Sequence, residues 1–249
     1  MSVADKALVQ QSQVEMVFRK LLTMIIDGTY PEKARLPAER TLCKDLETSR
    51  GTLREALRRL SDWHVVESRQ GSGITVQPKA NWLFDVLPTY LLHQIATKPT
   101  AELIPLFKEL MHAQRDIFIM ALRIATRSAD PDKLDQALTL AQDAFAVRND
   151  PIAFARADFA VISAMISSSD LLPLQWLMNR ISGVFSELIL TFGANVPAPK
   201  GYIKFYETLV TLMKAHDEDL VVAHATLYLT QIDNMVLEAL APLFEQAER

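Results

Sequence analysis

The sequence predicts a mainly α protein, a small N-terminal winged helix-turn-helix followed by an all-α helical bundle, and three observations carry that prediction. From Leu36 to Val76 the chain reads LPAERTLCKDLETSRGTLREALRRLSDWHVVESRQGSGITV. This is a short helical pattern, a turn, a longer amphipathic pattern, and two β-favouring runs joined by Gly71-Ser72-Gly73. From Trp82 onward the periodicity is helical throughout, punctuated at Pro99, Pro131, Pro151, Pro173 and the pair Pro197/Pro199. A length of 249 residues, 49% hydrophobic and 22% charged, suits a small domain joined to a larger one. The expected domains are residues 1–78 and 79–249, with a linker at Pro78 to Asn81.

Taken in order, residues 1–12 are expected as a frayed lead, and Val14, Val17, Leu21, Met24 and Ile25 mark a helix that ends before Gly28. Thr29 to Leu36 is a connection. Pro37 stands at or near the first turn of the next helix, where its missing N–H is no loss, and Leu42 and Leu46 face inward. The helix after it separates two faces. Leu53, Ala56, Leu57 and Leu60 form an apolar stripe, while Arg50, Arg54 and Arg58 recur every four residues on another side. Thr48 or Ser49 is placed to cap this helix, and Gly51 and Thr52 at its exposed beginning would let a backbone approach closely. Val65-Val66 and Ile74-Thr75-Val76 are the two strands of a hairpin, the wing. Helices are then expected near 82–97, 101–128, 131–148, 151–168, 171–193, 199–215 and 217–243, without an internal repeat.

Charge is unevenly placed. Residues 1–78 hold 12 Lys and Arg against 10 Asp and Glu, net +2, and the remainder holds 14 against 20, net −6. A modest, focused basic surface suits salt-dependent binding to particular DNA sites and argues against indiscriminate coating of nucleic acid. The one cysteine, Cys43, excludes an intrachain disulfide and a Cys-rich zinc site, and its neighbours Leu42 and Leu46 suggest a buried small hydrophobe. No stretch has the length of a membrane span or the uninterrupted apolar core of a signal peptide, so the expectation is a soluble, cytoplasmic protein without membrane contact. Neither a Walker loop nor GxGxxG occurs, and Ser167-Ser168-Ser169-Asp170 lacks the glycines of a nucleophile elbow. The expectation is therefore no catalytic residue, no enzyme and no cofactor.

LPAER, then SRGTLREAL, then the QGSG wing resemble the N-terminal domain of GntR-family transcriptional regulators, over about residues 13–77. The helical remainder is similar to the effector domain of the FadR subfamily. Around Leu110–Arg115, Asp130-Pro131-Asp132-Lys133, Gly183–Asn195 and Phe205-Tyr206 to Leu209 it looks closest to the fatty-acyl-CoA-responsive regulators. The resemblance implies a homodimeric repressor of fatty acid metabolism that binds a pseudo-palindromic DNA operator. It implies DNA contacts from Arg40, Ser49, Arg50, Thr52, Arg54, Gln70 and Gly71. Gln70 stands where the fatty-acid regulator has histidine, and Gly51 replaces a threonine, so a different operator sequence is implied.

The resemblance further implies effector contacts from Arg115, Phe192 and Tyr228, with a fatty acid or acyl-CoA as the effector. The other reading of Arg115 is an interhelical ion pair with a carboxylate such as Asp158. The final helix carries Leu229, Ile232 and Val236 where the fatty-acid regulators have glycine, serine and tryptophan, which implies a more apolar cavity. Many relatives bind a divalent metal through an Asp, a His one turn later and two further His. Here Asp158 is followed by Ile162, with Tyr206 and Tyr228 at the later positions, so no metal site is expected. Two alternatives stand beside this reading: a metal-dependent, carboxylate-sensing regulator of the same broad family, and a helical binding protein whose winged domain makes protein contacts.

Overall fold

The structure is a computed structural model that describes the backbone of residues 3–69, 73–192 and 198–246, and the side chains of 13–68, 73–99, 101–184 and 198–239. It divides into two compact units, Met1–Thr97 and Lys98–Arg249.

The first unit is built on α1 (Val3–Ile26), α2 (Glu39–Asp45), α3 (Arg50–Asp62), the antiparallel hairpin β1 (Val66–Arg69) and β2 (Gly73–Val76), and α4 (Leu87–Thr97). Helix α1 begins at Val3, so the expected frayed lead is helical; residues 3–12 contain neither glycine nor proline, and Ala, Leu, Lys and Gln are good helix formers. The stripe expected on α3 is the core. Leu53, Ala56, Leu57 and Leu60 are buried with Phe18, Leu21, Leu22 and Ile25 of α1, Leu42 of α2 and Val66 and Val76 of the wing. Cys43 packs against this cluster as a free, half-buried thiol.

Local capping fixes where the helices begin. Ala38 is the cap residue of α2, so Pro37 lies one residue outside the helix and its ring serves the extended entry. Of the two candidates for α3, Ser49 is the cap: its Oγ accepts from Thr52 N at 3.1 Å and pairs with Thr52 Oγ1 at 2.9 Å. Thr52 is thus 3% exposed and not part of an exposed beginning of the helix. We predict that Ser49→Ala lowers the unfolding free energy by about 1–2 kcal/mol, through the lost cap and the buried Thr52 hydroxyl left without its partner. Ser49→Asp, which keeps a capping oxygen, should retain most of the stability in the same urea titrations; equal loss in both would remove the cap from the account.

Two features of this unit exceed the expected elements. The connection after α1 contributes an isolated antiparallel bridge between Arg35 and Thr75, with Leu36 N donating to Ile74 O and Val76 N to Ala34 O, both at 2.9 Å. It covers the edge of β2. The unit also runs past the expected boundary at 78 and linker at 78–81. Trp82 Nε1 donates to Gln77 O at 3.0 Å, Leu83 N donates to Trp63 O at 3.0 Å, and Val86 is buried in the winged core. The 3-10 turns Lys79–Asn81 and Phe84–Val86 lead directly into α4, which packs on α1. Apolar side chains at 82, 86 and 90 hold this segment to the winged core, and the division falls after Thr97.

The second unit is an all-α bundle of α5 (Thr100–Thr126), α6 (Pro131–Ala146), α7 (Pro151–Ser167), α8 (Leu172–Phe192), α9 (Tyr202–Lys214) and α10 (Glu218–Gln246). Helix α5 packs along α10, α6 against α7 and α9, α7 against α8 and α5, and α9 against α10. Asp130 and Asp150 show why two of these helices start where they do. Each carboxylate accepts from two backbone N–H groups of the first turn, and each is followed by proline at the first helical position. No helix among the described residues is long and apolar enough to cross a membrane.

Candidate DNA interface and effector site

The α3 helix carries its charge on the side opposite the core. Arg50 is exposed at its first position, and Arg54 and Arg58 follow on the same side with 68% and 61% of their side-chain surface exposed. Arg40, on α2, is exposed as well. Their electrostatic surroundings differ. Arg54 Nε donates to Glu39 Oε2 at 2.9 Å, a single contact from the start of α2. Arg58 is held between Glu55 at 2.6 Å and Asp62 at 2.9 Å, and the guanidinium in turn holds the Glu55 carboxyl below its ordinary range. Arg58 is therefore locally neutralised. Arg59 faces elsewhere, over the Phe18 ring at 4.3 Å from its centroid and 2.7 Å from Glu15, so it ties α3 to α1.

Strand register brings Arg69 opposite Gly73 at the tip of the wing, and Gly73 has φ +79°, a left-handed conformation that glycine adopts without a Cβ clash. Gln70 and Gly71 lie outside the described residues.

In the helical unit, Arg115 on α5 pairs with Asp233 on α10, Nη1 to Oδ2 at 2.9 Å, with side-chain exposures of 15% and 10%. The same nitrogen lies 3.4 Å from Thr230 Oγ1, and Arg115 Nε is 3.3 Å from Asp116. The structure corrects the expected partner: Arg115 meets Asp233 and not Asp158. Burial pushes the Asp233 carboxyl up to about 6 against the opposing pull of Arg115 and His112, so its charge is poorly solvated even when paired. A carboxylate on the inward side of α10, eight residues beyond buried Ala225, was the sequence signal for a buried cation partner, and it was missed.

Asp158 of α7 has other partners. Its Oδ1 accepts from Tyr202 Oη at 2.8 Å and Tyr206 Oη at 2.6 Å, both from α9. Burial raises the Asp158 carboxyl, with the two phenol hydrogen bonds pulling the other way. Burial and the Asp158 charge raise all three nearby phenols, Tyr202, Tyr206 and Tyr228. Tyr206 and Tyr228 were singled out from the sequence; Tyr202, one helical turn before Tyr206 on the same side of α9, was not. Tyr228 stacks on Phe205 with ring centroids 3.8 Å apart, and its hydroxyl is buried without a hydrogen-bond partner. Gln114 Oε1 is the other such atom among the described residues. Phe192 ends α8, and its side chain lies outside the described ones. Among the described residues, no group of three or more His, Cys, Asp or Glu side chains is placed to hold a metal ion.

An amphipathic helix with a sealed apolar face and a basic outer face, preceded by a short helix and a turn and followed by a β-hairpin, defines a winged helix-turn-helix DNA-binding protein. Residues 13–76 match the family described as bacterial regulatory proteins, gntR family. The chain is a DNA-binding transcriptional regulator. It is 26% identical over 213 residues to the HTH-type transcriptional regulator Mce2R of Mycobacterium tuberculosis, covering 83% of this chain and 86% of the relative. It is 24% identical over 212 residues to the fatty acid metabolism regulator protein of Salmonella paratyphi B, covering 84% of each. A solved Listeria monocytogenes protein, Lar, described as controlling expression of the agr system and mediating virulence, shares the fold with a TM-score of 0.56. The two are 16% identical, over 90% of this chain and 96% of that one.

Proposed function

We propose that this regulator binds a pseudo-palindromic operator as a cytoplasmic homodimer and releases it when a fatty acid or acyl-CoA enters the helical unit. It acts by binding and carries no catalytic site. The observation that carries the DNA half is the outer face of α3, where Arg50 and Arg54 stand exposed opposite the buried stripe of Leu53, Ala56, Leu57 and Leu60. Arg50 and Arg54 enter the major groove, Arg40 and Ser49 hold the backbone, and Gln70 and Gly71 take the wing to the minor groove. Thr52 contributes through the Ser49 hydroxyl to which it is bonded. Two-fold protein on two-fold DNA follows from the limited number of base pairs one such helix can read.

The effector half is supported by polar groups that the bundle leaves unsatisfied. A buried hydroxyl without a partner is unfavourable by about 1–3 kcal/mol, and a ligand carbonyl or carboxylate accepting from Tyr228 would remove that penalty. Arg115 gives an anionic head a cation whose present partner, Asp233, is itself poorly solvated. The relative named a fatty acid metabolism regulator supports a lipid. A tenfold loss of operator affinity needs about 1.4 kcal/mol of coupling, which burying two or three methylenes differently in two states would supply.

The test is titration of long-chain acyl-CoAs and free fatty acids against the protein on a labelled duplex that it selects from random DNA. We expect release to at least about tenfold weaker binding by one of the two classes. Release by neither removes the lipid reading and leaves DNA binding standing.

A further inference from the structure

Glu39 opens α2 and reaches across the helix-turn-helix to α3, where it accepts from Arg54 Nε at 2.9 Å. The pair is 36% and 68% exposed, so it adds little to folding stability. Its consequence lies in geometry. A guanidinium is a planar fork with five N–H donors, and it can bond a carboxylate, a phosphate or the O6/N7 edge of guanine through two of them at once. Glu39 uses Nε alone, on the side nearest the helix, and leaves the two Nη groups at the far end of the plane available together. Arg58 stands in contrast, with its Nε and both Nη groups engaged by Glu55 and Asp62. On the face that meets DNA, Arg54 is held and still able to read, whereas Arg58 is held and spent.

We infer that Glu39 is a positioning residue that determines specificity: by holding Arg54 through Nε it points the Nη fork at a base edge. Without Glu39 the side chain is free to swing onto a neighbouring phosphate. A phosphate contact adds affinity on any sequence, and a base contact adds it only on the matching one. Glu39 therefore acts on the ratio of specific to non-specific affinity more than on affinity itself. A carboxylate is tolerated there because Glu39 lies in the first turn of α2, at the positive end of the helix. The inference rests on α3 being the DNA-reading helix.

The experiment uses the full chain, a duplex that the wild type selects from random-sequence DNA, and a scrambled duplex of the same composition, with affinities read by fluorescence anisotropy at one salt concentration. In Glu39→Ala we expect the affinity ratio between the two duplexes to fall about tenfold, the size of one good base contact. Glu39→Gln keeps an acceptor for Nε and should keep most of the ratio, even as removal of the charge tightens binding to both duplexes. In an Arg54→Ala background, adding Glu39→Ala should leave the ratio unchanged. An unaltered ratio in Glu39→Ala, or a fall of equal size in the Arg54→Ala background, overturns the inference. Failure of the wild type to select any duplex is a different result: it removes the DNA-binding reading, and this inference with it.

Discussion

Replacing both Arg50 and Arg54 by alanine is expected to abolish recognition of a selected operator while leaving the fold intact. Both side chains are exposed and neither contributes to the apolar core of the winged unit, so the unfolding midpoint should stay within about 0.5 kcal/mol of wild type. Each arginine that pairs bidentately with a guanine contributes about 1–3 kcal/mol of discrimination, so the double variant should lose roughly a hundredfold to ten-thousandfold on the selected duplex. Arg58→Ala should do far less, because Glu55 and Asp62 already compensate that charge and DNA would have to displace both. The salt dependence separates the two kinds of contact. A variant that loses a phosphate contact flattens the slope of log affinity against log salt by about 0.9, whereas one that loses only a base contact keeps the slope and loses sequence preference. Retention of both affinity and preference by the double variant would move DNA recognition away from α3 and revive a protein-docking role for the winged domain.

What the sequence makes legible here is local, and what it hides is pairing between distant segments. The α3 faces follow from side chains three and four positions apart, and the starts of α6 and α7 follow from Asp130-Pro131 and Asp150-Pro151. The bridge from Arg35 to Thr75 depends on a backbone segment returning to the wing across two helices, and nothing in residues 29–36 announces a strand. Pro78 suggests a boundary, but Trp82, Val86 and Tyr90 pack back on the winged core, and packing outweighs punctuation. Arg115 was recognised as a side chain needing explanation, yet its partner lies 118 residues away on α10. Asp158 instead meets two phenols from α9, Tyr202 and Tyr206, which lie one helical turn apart and 44 and 48 residues further along the chain.

Arg115→Ala should destabilise the protein strongly at alkaline pH and weakly at acidic pH, and Asp233→Asn should relieve most of that loss. Removing one partner of a buried ion pair leaves the other charge without compensation, typically at about 3–5 kcal/mol. Asp233 can escape part of this by taking up a proton. Burial already pushes its carboxyl up to about 6 in the presence of Arg115, and loss of that cation removes the largest opposing influence, so the folded value in the variant lies higher still. A carboxyl whose folded value exceeds its unfolded value contributes stability that is fully present below the unfolded value, about 4, and is lost as pH rises through the folded one. In wild type that loss is complete a little above pH 6; in Arg115→Ala it continues upward. The gap in unfolding free energy between the two should therefore widen from pH 5 to pH 8, by roughly 1–3 kcal/mol. Asp233→Asn in the variant background removes the titrating group, and the widening should disappear. A gap that stays constant across this range, or survives Asp233→Asn, would show that Arg115 matters through its packing and not through its charge. The double variant is also the proper protein in which to ask whether Arg115 binds an effector, since it lacks the guanidinium without carrying the stranded carboxylate that would disturb the bundle by itself.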